Sequence, residues 1–365
     1  MSGTYRYLIA DVLTSAVNLE PNCFGVSYAR RISKPASATF SIVLDSDIRS
    51  QKNRDIIEWT QSGKSALWIE RDNKIIWGGI VWSDVYQSQA AVMSYTAQTF
   101  ESFFYKQFIE EDLEWEETDQ RIILCELIEH MQGKTNADIG IIIPDPGDFD
   151  PGDAVIRDEY FPAADGWSYG KAIEYLTNYA DGFEYTIEVG YDADGNLAKT
   201  LNVDNKIGVP ETAELQVFDY PGNVKNYYFP RTVSDAGVSV IGLGESDLTF
   251  KYVHTDLLAE GWPDYQQQFS NRDVSEEETL ESQTEAEANR VRPPITVPTL
   301  ELEPSLEPSV DQVGMGDYAK THIEDLRFPD GKVFTTRIIG WDAKPSEADN
   351  QEYLKLVVSG EEVIV

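Results

Sequence analysis

The sequence predicts a mainly β protein in which an α+β insert separates two strand-rich ends. Short runs of β-branched and aromatic residues, divided by turn residues, fill the first hundred positions and return near the C-terminus. Between them, two segments carry apolar residues at helical spacing. The chain has 365 residues, more than the roughly 250–300 at which one hydrophobic core stops growing. We therefore expect more than one domain.

Residues 1–104 are predicted to form the first domain, a small β-barrel or sandwich. The turn Arg71-Asp72-Asn73-Lys74 predicts a tight hairpin, because Asp and Asn tolerate positive φ. The pair Gly78-Gly79 inside a strand indicates a bulge or a close backbone approach. Residues 45–54 are predicted to be a loop. The predicted strands are residues 5–10, 24–31, 38–44, 66–70, 74–82 and 91–97.

Residues 105–225 are predicted to form the α+β insert domain. A helix near 119–132 has Thr118 as its predicted N-cap and ends at Gly133. A second helix near 168–180 is predicted to end at Gly182, and strands 183–189 and 197–203 are predicted to form a hairpin. The apolar stripe of the first helix is Leu124, Leu127, Ile128 and Met131.

Residues 226–365 are predicted to form a second strand-rich domain, with a helical and Pro-rich excursion at about 245–310. A helix near 276–291 begins with Ser275 and Glu278, which have the spacing of a capping box. The Pro-rich run 292–308 is expected to be extended, because each proline disfavours helix before it. The predicted strands are residues 227–233, 238–242, 332–341 and 353–358.

The chain is strongly acidic, with 64 Asp and Glu against 29 Lys and Arg and a net charge of -35. Such a surface does not hold nucleic acid or anionic membrane, since phosphates are bound through Lys and Arg. Two explanations remain open. The acidity serves solubility or a salt-tolerant host, or the protein sits close to DNA without gripping it.

The two cysteines, Cys23 and Cys125, both lie among apolar residues and are predicted to be buried free thiols. The N-terminus has neither the basic nor the apolar region of a secretion signal. No apolar run approaches the ~18 residues of a membrane span. We expect a product made in a reducing host cytoplasm, without membrane insertion.

The histidines, glycines and carboxylates do not have the sequence spacing of known catalytic or metal-binding motifs. The histidines His130, His254 and His322 lie far apart and match no metal-ligand pattern. The segment Gly242-Leu243-Gly244-Glu245 has no phosphate-binding lysine and no helix behind it. Acid pairs suited to a glycosidase can be drawn among 64 carboxylates, but their spacing in sequence says nothing of their separation in space. We predict no catalytic, cofactor-binding or metal-binding residues, no cofactor and no enzymatic activity.

Two acidic turns resemble calcium loops. The turn at 192–196, Asp-Ala-Asp-Gly-Asn, opens like an EF-hand loop, but its glycine is at the fourth position and no glutamate closes it. We predict a hairpin turn there. The loop at 145–153 offers four carboxylates between prolines and glycines. A structural cation in that loop remains open.

A set of phrases, in order, resembles the minor tail proteins of actinobacterial siphophages. This tail-tip hub family is related to the baseplate hub proteins of contractile tails. The most distinctive piece is the predicted hairpin LWIERD at 67–72 followed by IWGGIVW at 76–82. The other phrases are YRYLIADVLT at 5–14, FGVSYARR at 24–31, FDYPGNV at 218–224, VIGLGE at 240–245, GD at 316–317, FPDG at 328–331 and RIIGW at 337–341.

The resemblance implies a structural virion protein at the phage tail tip. Two tube-like β-barrel domains would flank the mixed insert, and three subunits would form a pseudo-six-fold ring. The implied partners are two further copies, the distal tail or tail tube protein, the tape-measure protein, and tip or fibre proteins. DNA would pass through the lumen during ejection without specific binding.

The resemblance gives the charge a physical role and leaves two rival functions. We hypothesise that part of the acidity lines the lumen, where it would repel DNA over a Debye length of about 8 Å. One rival is a receptor- or glycan-binding protein, in which exposed aromatics such as Trp262 and Tyr265 stack on host sugars. The other is a tail-associated cell-wall hydrolase.

Overall fold

A computed structural model describes residues 3–213, 215–230, 232–272, 274–293, 298–346 and 351–361. The chain is mainly β. Its N-terminal part has seven strands and one helix. These are β1 (Tyr5–Asp11), β2 (Val17–Leu19), β3 (Cys23–Arg31), β4 (Ser37–Val43), α1 (Gln51–Trp59), β5 (Ser65–Arg71), β6 (Lys74–Gln87) and β7 (Val92–Thr99).

The middle of the chain alternates strands and helices. A 3₁₀ helix, Phe100–Lys106, leads into it, and short 3₁₀ turns lie at Pro146–Asp148, Pro151–Asp153 and Ala163–Asp165. Its regular elements are β8 (Leu113–Asp119), α2 (Gln120–Gln132), β9 (Ile141–Ile142), β10 (Ile156–Phe161), α3 (Tyr169–Thr177), β11 (Glu184–Tyr191) and β12 (Leu197–Asp204).

The C-terminal part has nine strands and two helices in the described residues, together with the 3₁₀ turn Val310–Gln312. They are β13 (Gln216–Tyr220), β14 (Val224–Tyr228), β15 (Ser239–Leu243), β16 (Thr249–Val253), α4 (Thr255–Ala259), β17 (Gln266–Ser270), α5 (Glu277–Arg290), β18 (Thr299–Leu302), β19 (Tyr318–Ile323), β20 (Lys332–Lys344) and β21 (Tyr353–Glu361).

Strands from both ends of the chain form one sheet of 13 strands. Its order is β14-β18-β21-β20-β3-β4-β7-β6-β5-β1-β2, with β19 beside β20 and β13 beside β19. The path is open at both ends, so the described residues form no closed barrel. The prediction of two separate barrels therefore needs correction. The reason is that the outer edge of β3 pairs with β20, which joins the two ends of the chain.

Within this sheet the two ends repeat one strand order. The first strand group, β1-β5-β6-β7-β4-β3, corresponds in chain order to the second strand group, β13-β19-β20-β21-β18-β14. The long strands β6 and β20 also share a bulge, between Val81 and Ser83 in one and between Ile338 and Gly340 in the other. One strand departs from the correspondence: β13 runs parallel to β19, whereas β1 runs antiparallel to β5. The ends are two similar β units.

Two large cores lie on opposite faces of β5. Leu67 and Ile69 point into a core that both strand groups share, together with Trp77, Phe218 and Trp341. Ala66 and Trp68 point into the other core, which packs the first strand group against the middle of the chain. Every residue of β5 is buried. Alternate side chains of a strand face opposite ways, which explains why this strand is apolar without alternation.

The two predicted helices of the insert are present. The apolar stripe of α2 is fully buried, and Gly133 follows its last residue. Its N-cap is Asp119 and not Thr118, because the Asp119 carboxylate accepts from the backbone N–H of Arg121. α3 ends earlier than predicted and is capped by Asn178 rather than Gly182.

The helix predicted near 276–291 is α5, which buries Leu280, Thr284 and Ala288. The predicted capping box is wrong, because the N-cap is Glu276, which makes no side-chain capping bond. In the Pro-rich run, residues 294–297 lie outside the described residues. The remainder includes β18, so its extended backbone is used in the sheet.

The predicted loop at 45–54 is partly wrong, because α1 begins at Gln51. Only Ile56 of this helix is buried, so its sequence carries no apolar stripe that would reveal it. The prediction for strand 227–233 is displaced, since β14 ends at Tyr228. The acidic segment before α2 forms β8, which pairs with β10.

The hairpin between β5 and β6 is confirmed, with positive φ at Asp72 and Asn73. The close approach predicted at Gly78-Gly79 is also present. A Cβ on Gly79 would lie 2.3 Å from the Gln98 carbonyl oxygen. We expect Gly79→Ala to lower the free energy of unfolding by about 1–3 kcal/mol, since backbone has to move. Urea unfolding measures this, and Gly190→Ala, at a strand position with open space, is the matched control.

Candidate functional site

The two strand groups meet along β3 and β20, and an arginine reinforces this joint. Four antiparallel pairs link the strands, from Tyr28 opposite Ala343 to Arg31 opposite Gly340. The Arg31 guanidinium donates to the Trp341 carbonyl at 2.8 Å and to Asp342 at 2.6 Å. These bonds fix the register of one strand group against the other.

A buried ion cluster joins the same two groups at a second point. The Arg71 side chain, 7% exposed, donates to Glu352 at 2.9 Å and to Asp311 at 2.7 Å. Tyr5 also donates to Glu352, and burial raises the pKa of the Tyr5 hydroxyl. Burial alone would raise the pKa of Asp311, but the Ser309 hydroxyl and Arg71 lower it below its usual value. The charged groups of this cluster are paired with one another.

Two further arginines hold the middle of the chain against the sheet. Arg30 donates to Glu188 at 3.0 Å, and Arg337 donates to Glu184 and to the Gly316 and Ile207 carbonyls. Burial would raise the pKa of Glu184, yet Arg337 and Lys206 lower it below its usual value. Because a buried pair is costly to break, the three parts of the chain are held in one arrangement.

An open cleft of 980 Å³ lies over the joint, between β3, β14, β18 and the two ends of the β20–β21 connection. Its charged lining residues are Lys225, Lys344, Glu301 and Glu352. Glu352 is already engaged by Arg71 and Tyr5. The lining has two bases, two acids and no cysteine or histidine. Its Ser27 and Thr39 hydroxyls therefore have no histidine base in the lining, and no three His, Cys, Asp or Glu residues of the described chain meet there to hold a metal ion.

The outward face of the sheet near this cleft carries little net charge. On β4 and β7 the outward side chains are short and uncharged, among them Ser37, Thr39, Ser94 and Thr96. Near the cleft, the outward charged residues described on β18, β20 and β21 are two acids and two bases, Glu301, Asp342, Lys344 and Lys355. In a chain of net charge -35, this face is unusually suited to close contact with another acidic surface.

The structure keeps the three candidate histidines apart and gives each a partner. His130, on α2, contacts Tyr169 and Glu111. His254 is buried, accepts from Arg292 at 2.9 Å and donates to the Ala288 carbonyl at 3.0 Å. His322 lies 3.3 Å from Asp219. They do not form a common site.

The acidic turns use their carboxylates to fold the backbone. Asp192 accepts from the N–H groups of Asp194 and Asn196, which lowers its pKa and confirms the predicted hairpin turn between β11 and β12. Asp145 and Asp150 accept in the same way from the glycines two residues on. Within the described ranges no three His, Cys, Asp or Glu residues are arranged to hold a metal ion.

The remaining candidate residues lie in different parts of the fold. Gly242 lies in β15 against Thr284 of α5, where a Cβ would be 1.9 Å from the threonine hydroxyl. Cys125 is buried and Cys23 half-buried, and both are free thiols. Trp262 is half-buried and Tyr265 is 44% exposed, and neither lines the cleft over the joint. No helix in the part of the chain described is long and apolar enough to cross a bilayer.

One buried carboxyl in the middle of the chain has a strongly shifted pKa. Glu159, on β10, accepts from the Tyr179 hydroxyl at 2.9 Å. Burial raises its pKa to about 7, and the hydrogen bond only partly opposes this. Arg157 lies over the Tyr179 ring at 4.1 Å and pairs with Asp181.

We expect Glu159 to make stability fall as pH rises from its unfolded pKa, 4.5, through about 7. The folded state binds the extra proton in this window, so ionisation favours unfolding by as much as about 3 kcal/mol. Glu159→Gln removes this dependence. Urea unfolding from pH 4.5 to 8 measures it, with exposed Glu114→Gln as the control. Parallel curves for the wild type and Glu159→Gln would contradict the prediction.

The arginine clusters were not found by sequence reasoning. Arg71 and Glu352 are separated by 281 positions, and neither belongs to a spaced motif. In the sequence, LWIERD at 67–72 and RIIGW at 337–341 were identified only as phrases that resemble the tail-tip hub family. These segments supply Arg71 and Arg337.

The fold has clear likenesses among solved structures. The chain is similar to a tail protein from Neisseria meningitidis MC58, with 14% identity, a TM-score of 0.58, and 98% and 97% of the two chains covered. It is similar to the 43 kDa tail protein of prophage MuSo2 from Shewanella oneidensis, with 8% identity, a TM-score of 0.61, and 97% and 98% covered. A chain of the Francisella PdpA–VgrG complex matches all of this chain over 59% of its own length, with 8% identity and a TM-score of 0.55.

At the level of sequence, no protein-family model matches the chain and no curated protein matches it significantly. The structural likenesses extend over essentially the whole chain. They establish a fold shared with phage tail proteins.

Proposed function

We propose that the protein is a non-enzymatic structural component of a long-tailed phage, forming the hub at the tail tip. The observation that carries the proposal is the pair of similar strand groups joined in one sheet. Three such chains bring six similar units together, which is what a ring needs to match a six-fold tube on one side and a three-fold tip on the other. The fold shared with tail proteins from end to end supports it.

The proposed domain division follows the sequence. Residues 1–104 and 226–365 supply the two tube-like units, the latter with an excursion at about 245–310, and residues 105–225 form the insert on the flank. The buried arginines support a rigid subunit, since they tie each unit to the other and to the insert. A rigid subunit suits a ring that bears load during ejection.

The proposed partners are two further copies of the chain, the distal tail or tail tube protein, the tape-measure protein, and tip or fibre proteins. The proposed location is the virion tail tip, of the actinobacterial siphophage type that the sequence phrases resemble. Complexes among proteins of this fold support such partnerships, as in the PdpA–VgrG assembly.

We infer that DNA passes the hub without specific binding. The net charge of -35 disfavours any grip on the phosphate backbone. Whether acidic residues line the bore depends on which surface faces inward, because the outward sheet face around Thr39 and Lys355 has little net charge. A surface potential map of an imaged ring tests this, and a neutral or basic bore would reject the acidic-lumen hypothesis.

The test of the proposed function is the mass and symmetry of the full chain. We expect a trimer by native mass spectrometry or light scattering, and a three-fold density at the tail tip in imaged virions. A chain absent from virions, or present elsewhere in the tail, would reject the hub.

Two rival functions predict different results. A receptor- or glycan-binding protein would bind host glycans as an isolated chain, and changing Trp262 or Tyr265 would weaken that binding. A cell-wall hydrolase would release fragments from host peptidoglycan, and changing one carboxylate would abolish turnover. We expect neither result, because Trp262 and Tyr265 do not line the 980 Å³ cleft and Glu352, one of its two carboxylates, is held by Arg71.

A further inference from the structure

The two strand groups are similar, but their outer edges are used differently. In the first strand group, the C-terminal half of β3 pairs with β20 of the second. In the second strand group, β14 is the counterpart of β3, and no strand in the described residues pairs with its outer edge. The outer edge of β3 therefore pairs with a strand, whereas the equivalent edge of β14 has no paired strand among the described residues.

The strand that receives β3 also has a counterpart with a free edge. β20 accepts β3 beyond its bulge, at Gly340–Ala343, while its earlier residues pair with β19. β6 has its bulge at the same place and pairs with β5 only up to Ile80. Beyond it, Ser83 to Gln87 pair with β7 on one side, and no described strand pairs with the other. All five residues are exposed.

The shared neighbours give the register of the correspondence. Ser27 of β3 pairs with Thr39 of β4, which pairs with Thr96 of β7. In the second strand group, Tyr228 of β14 pairs with Thr299 of β18, which pairs with Val357 of β21. Ser27 and Tyr228 therefore occupy equivalent positions. Along the other strand, Gln87 is equivalent to Lys344, which follows Ala343 at the joint. The continuation of the joint, Ser27 beside Lys344, therefore has Tyr228 and Gln87 as its counterparts.

We propose that residues 228–230, which begin with the last residue of β14, pair antiparallel with residues 85–87 of β6 in the next copy, with Tyr228 opposite Gln87. This pairing repeats between chains the joint made by β3 and β20 within a chain. This interface rests on the proposed ring of three subunits and names its contact. It is head-to-tail, since a different edge is used on each side, and such an interface closes into a ring when the rotation allows.

Backbone hydrogen bonding is compatible with this pairing. At the joint within the chain, the Ile32 N–H donates to the Ile339 carbonyl, so alternate residues Arg30 and Tyr28 also point their amides toward β20. Ala29 points away, and its carbonyl accepts from the Trp77 indole instead. The counterpart of Ala29 is Pro230, two residues after Tyr228. A proline is tolerated there, because no N–H is needed toward the new partner.

The absence of charge on the two edges favours contact between copies. Residues 228–230 and residues 85–87 carry no charged side chain. Copies with a net charge of -35 each repel one another over most of their surface. Two uncharged edges that carry exposed Val85, Tyr86 and Tyr228 offer a contact where this repulsion is least and apolar area is buried.

Cysteine cross-linking of the full chain tests the contact. Tyr228 and Gln87 would face each other as a pair that is not hydrogen-bonded, in which Cα atoms lie about 4.5 Å apart, within disulfide range. Oxidising a Gln87→Cys, Tyr228→Cys double variant should convert most of the trimer to covalent dimers and trimers. Mixing the two single variants should stop at covalent dimers, and each single variant alone should give none.

Two matched variants make the result specific. Ser27→Cys with Lys344→Cys, at the joint within the chain, should form a disulfide without a change in mass. Val17→Cys with Tyr228→Cys tests the competing edge, β2, which ends the sheet on the other side, and should give no covalent oligomer.

Two outcomes overturn the inference alone. One is a trimer by mass that does not cross-link through Gln87→Cys and Tyr228→Cys. The other is a trimer that cross-links through Val17→Cys instead. In both cases the ring of the proposed function survives. A chain that remains monomeric at its highest soluble concentration overturns the inference and the ring together.

Discussion

Replacing Arg71 by leucine should lower the free energy of unfolding by about 3–5 kcal/mol, because it leaves the buried Glu352 carboxylate without its cation. The Glu352 side chain is 7% exposed, whereas Asp311, 14% exposed, keeps Lys74 at 3.5 Å. The substitution keeps much of the apolar volume, so the loss reports the charge and not a cavity. Urea unfolding of the purified chain at neutral pH measures it.

Two further variants show whether the loss in Arg71→Leu comes from the unpaired buried charge. Arg290→Leu removes an arginine that is 70% exposed and paired with Glu287 on the same helix, and it should cost less than about 1 kcal/mol. Arg71→Leu combined with Glu352→Leu should recover part of the loss, since an unpaired charge is then no longer buried. A double variant less stable than the single one would show that the cluster does not act as an ion pair.

Trp341→Ala should cost about 3–5 kcal/mol and should weaken the joint between the strand groups. The Trp341 ring is 2% exposed and meets Tyr28 edge to face, with ring centroids 5.6 Å apart. It lies in the core that both strand groups share. Removing it opens a cavity where β3 and β20 pair, so thermal and urea unfolding should both shift to lower midpoints.

A tryptophan outside the shared core provides the control for Trp341→Ala. Trp59, at the end of α1, is 39% exposed, and Trp59→Ala should change stability by much less. Equal losses for the two variants would mean that the shared core does not hold the strand groups together. A loss confined to Trp341→Ala, with fewer trimers in the same sample, would connect the core to the proposed ring.

Local patterns predicted the parts of the fold that local physics controls. The strands around the turn at Asp72 and Asn73 were predicted because alternation and turn chemistry act within a few residues. The apolar stripe of α2 predicted a helix whose inner face is buried. α1 was missed because its polar sequence has a single buried residue, Ile56. The capping box at Ser275 failed because the helix starts one residue later than that motif requires.

The candidate surfaces were less predictable, because they are assembled from distant segments. Arg30 and Arg31 were noticed as a pair in the sequence. Nothing there indicated that one holds Glu188 of the insert and the other Asp342 of β20. The free edge of β6 could not be inferred either, since it depends on where β5 stops pairing.

The sequence by itself determined a mainly β chain with a mixed middle, a strongly acidic surface and two strand-rich ends, because composition, periodicity and turn residues act locally. The tertiary structure alone decided that the ends share one open sheet and one core rather than forming two closed barrels. The physical reason is that an exposed strand edge pairs with whichever edge the fold brings beside it. That choice depends on backbone hydrogen bonds between β3 and β20, which side-chain patterns do not encode.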